Sequence, residues 1–137
     1  MNLFQPWILL VIIAGLIIAF GFYVLLHKKQ RLNTAEIRYL KKHWKEALNL
    51  VSEHPDKAVL KADKLLDFAL EKAGYQGSLG GKMKQAKAVF SDNNSLWSAH
   101  KLRNRIAHEI DIKVSKSQAN QAMKGFKRAF ADLGVSL

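Results

Sequence analysis

Hydrophobic positions fall along this chain in two different ways. The opening stretch, LFQPWILLVIIAGLIIAFGFYVLL, shows no periodicity, because from Asn2 to Leu26 it carries no charged side chain at all. About 20 mainly apolar residues suffice to cross a hydrocarbon core of roughly 30 Å, and Trp7 to Leu26 supply them. Trp7 near one end and Tyr23 near the other suit the two interfacial belts of a membrane span. A cleaved signal peptide needs basic residues before the apolar run and a small-residue site after it. Here LLHKKQR follows instead, so an uncleaved anchor is the better reading. Gly15 and Gly21 are not spaced as GxxxG, so the span carries no dimerisation stripe of that kind.

After residue 33 the apolar positions recur with a helical period. Asn33-Thr34-Ala35-Glu36 has the spacing of a capping box. Behind it Ile37, Leu40, Trp44, Ala47, Leu48 and Val51 form one stripe. Pro55 suits the first turn of a second helix, with Val59, Ala62, Leu66, Ala69, Leu70 and Ala73 facing inward and Gly74 as its stop. Beyond the glycine-rich GYQGSLGG, the spacing of Leu79, Met83, Ala86 and Phe90 predicts a short helix. SDNNS offers caps for the next, LWSAHKLRNRIAHEI. Ser115 with Gln118 caps a last helix, whose inner face is Ala119, Ala122, Met123, Phe126, Ala129, Phe130 and Leu133 before Gly134. VSK and IDIKV are too short to read as strands. The expected architecture is all-α: a transmembrane anchor over 1–27, a basic juxtamembrane linker over 28–33, and a compact bundle of about five helices over 34–137.

Charge orients that picture. The chain has 22 Lys and Arg against 11 Asp and Glu, a formal net charge of +11. Lys28, Lys29, Arg31, Arg38, Lys41 and Lys42 crowd the carboxyl side of the span. The positive-inside rule therefore puts the N-terminus outside and the helical domain in the cytoplasm, at an inner (plasma) membrane. A basic cluster there also suits an anionic lipid surface, each group contributing ~1 kcal/mol close to it. There is no cysteine, which excludes disulfides, Cys-based zinc sites and thiol nucleophiles. Gly81-Lys82 lacks the other residues of a phosphate loop, and His108-Glu109 is followed by Ile112 where a zinc motif needs histidine. Neither a metal nor another cofactor is expected. His27, His43 and His54 read as surface or interfacial residues.

Two features remain. Wound at about 100° per residue, Leu96, Ala99, Leu102, Ile106, Ala107 and Ile110 share one arc, and Arg103 falls in its middle. A buried guanidinium has to be paired. Asp63, about 20° from Leu70 on the second helix, is placed to meet it. That pair is either a structural ion pair or part of a site. The second feature is the adjoining polar arc of His100, Asn104 and His108, spaced i, i+4, i+8 beside Trp97, which reads either as a solvated face or as a site.

Arg103-Asn104-Arg105-Ile106-Ala107-His108 resembles the R-x4-6-H motif of HEPN domains, small all-α domains that are named for nucleotide binding in higher eukaryotes and prokaryotes. KADKLLDFAL, the glycine-rich turn and LWSAHKLRNRIAHE are also similar to small bacterial membrane proteins carrying HEPN-like domains. The likeness spans roughly residues 34–134 and leaves out the anchor. It implies an RNA-binding domain or a metal-independent endoribonuclease that works as a homodimer, with Arg and His of two protomers lining one cleft. On that implication His108 is the acid and base, Arg103 steadies the phosphorane and Asn104 orients one of them. Asp63, His100 and Arg105 support them, and Lys82, Lys84, Lys87 and Lys101 contact RNA or lipid. Along one helix Arg103 and His108 project about 140° apart, which favours a site completed by a second subunit. Other HEPN-like domains do no catalysis, so the alternative is a membrane-bound interaction or nucleotide-binding module, with an antitoxin or a membrane complex as partner.

Overall fold

The computed structural model describes residues 6–26 and 30–137, with the side chains of Leu25 and Leu26 outside that description. Six helices follow one another among the described residues: α1 (Pro6–Leu26), α2 (Thr34–Leu50), α3 (Pro55–Lys72), α4 (Leu79–Gln85), α5 (Asn93–His108) and α6 (Lys116–Asp132). No strand occurs among them. At 1.5 Å per residue, the 21 residues of α1 measure ~32 Å, long enough to cross a bilayer core. Its side chains are exposed all round wherever they are described, so no protein face covers its hydrophobic surface.

The other five helices form one bundle with α3 at its centre, packed against α2, α4, α5 and α6, while α5 also packs along α6. The expected inner face of α3 is buried in full, from Val59 to Ala73. Leu40, Trp44, Ala47 and Val51 of the first stripe meet it, and Trp44 sets its ring edge against Phe130 at 5.6 Å. The caps lie where the sequence puts them. Asn33 and Glu36 exchange bonds of 2.9 and 2.8 Å, and Ser115 and Gln118 exchange bonds of 3.1 and 2.9 Å. Asp92 accepts from the amide of Ser95 at 3.0 Å to open α5. Gly74 and Gly134 take φ of +92° and +83° after α3 and α6, a conformation that costs glycine little.

Four expectations need correction. Leu48 is exposed, because it lies on the flank of the α2 stripe rather than its centre. Ala107 and Ile110 are exposed too. The helix stops at His108, and Asp111 turns the chain away with φ of +59°. Phe90 is buried but lies beyond α4, which ends at Gln85. The basic linker is shorter than expected: the amide of Gln30 donates to the carbonyl of Ala73 at 3.3 Å and Leu32 packs on the core. Among the described residues, the contacts of the helical domain therefore extend back to Gln30. Lys28 and Lys29 lie outside the described residues, as does His27.

Candidate functional site

Asp63 sits in the middle of α3 on the side turned toward α5, with only 2% of its surface exposed. A carboxylate in that place needs partners for both oxygens. α5 brings them at two successive turns. His100 Nδ1 lies 2.8 Å from Asp63 Oδ1, and Arg103 Nε lies 3.0 Å from Oδ2. The arginine contact is ionic rather than directional, since Nε–H is not aligned for a hydrogen bond. Arg103 Nη1 donates to Asn104 Oδ1 at 3.0 Å, and Asn104 Nδ2 lies 3.3 Å from His100 Nε2. Four side chains thus close a ring: Arg103 to Asn104, Asn104 to His100, His100 to Asp63, and Asp63 back to Arg103.

The chemistry of the donors fixes the proton positions around this ring. A guanidinium only donates, so the Asn104 oxygen faces Arg103 and its amide nitrogen faces His100. Nε2 of His100 then accepts, and Nδ1 carries the proton that Asp63 receives. His100 is the neutral Nδ1–H tautomer in this arrangement. The ring forms part of the wall of an open cavity of about 440 Å³, together with Lys64, Asp67, Ser78 and Gly80. Trp97 stands edge-on to His100 with ring centres 5.9 Å apart. Gly80 comes close enough that a Cβ there would sit 3.8 Å from His100 Nε2 and from the Trp97 ring. Arg103 keeps 29% of its side-chain surface open, so its unused N–H groups remain reachable from solvent.

The expected Asp63–Arg103 meeting is therefore present, and Asn104 joins it. His100, expected only as a supporting residue, is the most intimate partner of Asp63. His108 is not part of the cluster. It is the exposed last residue of α5 and does not line the cavity. Arg105 is exposed and forms a two-pronged pair with Glu109 at 2.9 and 3.1 Å. That pairing raises the arginine and lowers the Glu109 carboxyl from their ordinary values. Lys84, Lys87 and Lys101 are exposed, as RNA or lipid contacts would be.

Lys82 departs from its expected role. Its side chain is 4% exposed and its ammonium lies 2.9 Å from Asp67 and 3.4 Å from Glu71. Burial works against its charge, but the two carboxylates outweigh it and hold the pKa above the usual lysine value. An ammonium engaged in this way is not offered to RNA or lipid. Asp67 and Glu71 stand at i and i+4, one turn apart on the same side of α3. Among the described residues, no three His, Asp or Glu side chains converge as metal ligands would. Comparison with family models, with curated proteins and with solved structures returns no match to this chain.

Proposed function

We propose that this chain is a single-pass membrane protein whose HEPN-like helical domain faces the cytoplasm, binds RNA through its phosphates and cleaves it without a metal as a homodimer. The observation that carries the reading is the half-open Arg103 guanidinium, backed by Asp63 and Asn104 at the wall of a cavity. Arginine's planar fork matches phosphate oxygens, and pairing at its rear sets its direction before any ligand arrives. The resemblance of residues 103–108 to the HEPN motif adds the RNA substrate. Exposed Lys84, Lys87 and Lys101 supply further positive charge for the backbone.

In this mechanism the 2′-hydroxyl of the RNA attacks the adjacent phosphorus. A general base takes its proton, a general acid protonates the departing 5′-oxygen, and positive charge steadies the crowded phosphorane. Arg103 supplies that charge. His108 serves as acid and base from the second subunit, since along one helix it lies about 7.5 Å further on and on another side. The alternative, a membrane-bound interaction module without activity, is favoured by the separation of His108 from the ring within one chain.

The test uses the full chain in detergent or nanodiscs with single-stranded RNA and EDTA. Cleavage leaving a 2′,3′-cyclic phosphate is expected, with DNA bound but intact for want of the 2′-hydroxyl. His108→Ala should lower the rate by roughly 10²–10⁴-fold with the fold unchanged. RNA binding without cleavage at any concentration would leave a binding module. Cleavage surviving His108→Ala would remove that histidine from the mechanism.

A further inference from the structure

The ring at Asp63 holds more than a paired charge: both hydrogen bonds of the Asn104 amide in it depend on His100 being neutral. Asn104 can satisfy His100 Nε2 and Arg103 Nη1 together only with its nitrogen toward the imidazole and its oxygen toward the guanidinium. A second proton on His100 turns Nε2 into a donor. The amide nitrogen then faces a donor, and the pair is repelled until the amide rotates to present its oxygen. After rotation the nitrogen points at Arg103, which loses its acceptor. Asn104 and His100 Nε2 border the open cavity, and Gly80 places no side chain there.

We propose that the Asp63–His100–Asn104–Arg103 ring is a proton-operated latch. With His100 neutral Asn104 occupies Arg103 Nη1 and leaves only the other N–H groups open, and a proton taken up from solvent at Nε2 turns the Asn104 amide and adds Nη1 to the groups an anion can reach. The regulatory part of the inference rests on the cavity being a phosphate site. Asp63 stays bonded to Nδ1 in both states, so the imidazolium remains paired and the α3–α5 contact is kept. The other charged groups lining the cavity are Lys64 and Asp67 of α3. Lys82 of α4 is turned to Asp67 and Glu71. Neither lysine can replace Asn104 as an acceptor for Nε2–H, and the Asp67 carboxylate is bonded to Lys82 through Oδ1 and makes no bond to His100. Acid therefore strengthens anion binding by two routes, a freed Arg103 Nη1 and one added positive charge.

The experiment follows the full chain, labelled with ¹⁵N in nanodiscs, over the interval in which imidazoles gain a proton, roughly pH 8 to 5. At the upper end the His100 nitrogen shifts should report the Nδ1–H tautomer. As the pH falls, the His100 nitrogens, the Asn104 side-chain amide and the Arg103 guanidinium signals should move with one midpoint. In Asn104→Ala, His100 should still titrate while Arg103 no longer follows it. Separate midpoints in the parent chain, or an Arg103 that follows His100 without Asn104, would overturn the latch. Affinity for the dinucleotide TpT, whose phosphodiester keeps one charge across the interval, should rise roughly threefold or more toward low pH and stay flat in His100→Gln. TpT binding that ignores pH in the parent overturns regulation by the latch. No TpT binding at any pH, with the coupled titration intact, overturns the RNA reading and leaves the latch standing.

Discussion

Asp63 and Arg103 divide one problem unequally. The carboxylate is almost wholly enclosed and the guanidinium is not, so losing the arginine leaves a buried anion with His100 alone, whereas losing the aspartate leaves a cation that water can reach. Breaking a fully buried pair costs roughly 3–5 kcal/mol. The open side of Arg103 brings the expected cost of Arg103→Ala down to about 2 kcal/mol, because water enters beside Asp63. The double variant Arg103→Ala/Asp63→Ala should cost less than the sum, with a coupling on the order of 1 kcal/mol. Urea unfolding of the four chains measures it, and simple additivity would show the pair to be idle. Both residues were legible because each sits on or beside an apolar stripe, where a charge asks for a partner. The roles of His100 and Lys82 were not. Whether a side chain on one helix reaches a carboxylate on another depends on how far apart the axes run and at what angle, and spacing along one helix contains neither quantity.

The helices themselves were more legible than their contacts, because caps and stops are local. Asn33, Pro55, Ser115 and Gly134 act within four residues of their own position, and the structure uses each as expected. Ile110 was misread for the complementary reason: periodicity continues through a helix end that a turn at Asp111 imposes. One close approach of two helices was invisible as well. A Cβ built on Gly125 of α6 would lie 2.8 Å from the carbonyl oxygen of Ser95 on α5. Gly125→Ala must push the two helices apart, and a loss of about 1–3 kcal/mol is expected by urea unfolding. An unchanged midpoint would mean that the helices can separate freely. Between α2 and α3, the Glu46 carboxyl is held down from 4.5 to about 2, first by the hydrogen bond from Lys61 and then by His43. A lowered carboxyl stabilises the fold above its unfolded value and ceases to do so as pH falls from about 4.5 to about 2. Glu46→Gln should therefore flatten the acid limb of the stability curve in that window. If parent and variant lose stability in parallel there, the bridge contributes nothing.

At the scale of the whole molecule, an exposed apolar helix is joined to a basic helical domain by a very short stretch. With the domain in the cytoplasm, a reporter fused after Leu137 should be active there, and protease added outside intact cells should spare it. Digestion of the domain from outside would reverse the orientation. The bond from Gln30 to Ala73 has a consequence for how two copies would meet. From Leu26 to Gln30 the chain reaches at most ~14 Å, so with α1 across a membrane, as proposed, the domain stays close to the bilayer plane. In the proposed homodimer, partners then find each other by lateral diffusion, and the governing variable is copies per unit area of lipid rather than molarity. In vesicles, diluting the suspension at a fixed protein-to-lipid ratio should leave RNA cleavage per molecule unchanged. Fusing in empty vesicles should lower it, since a crowded patch of membrane would then switch the protein on where a cell-wide average could not.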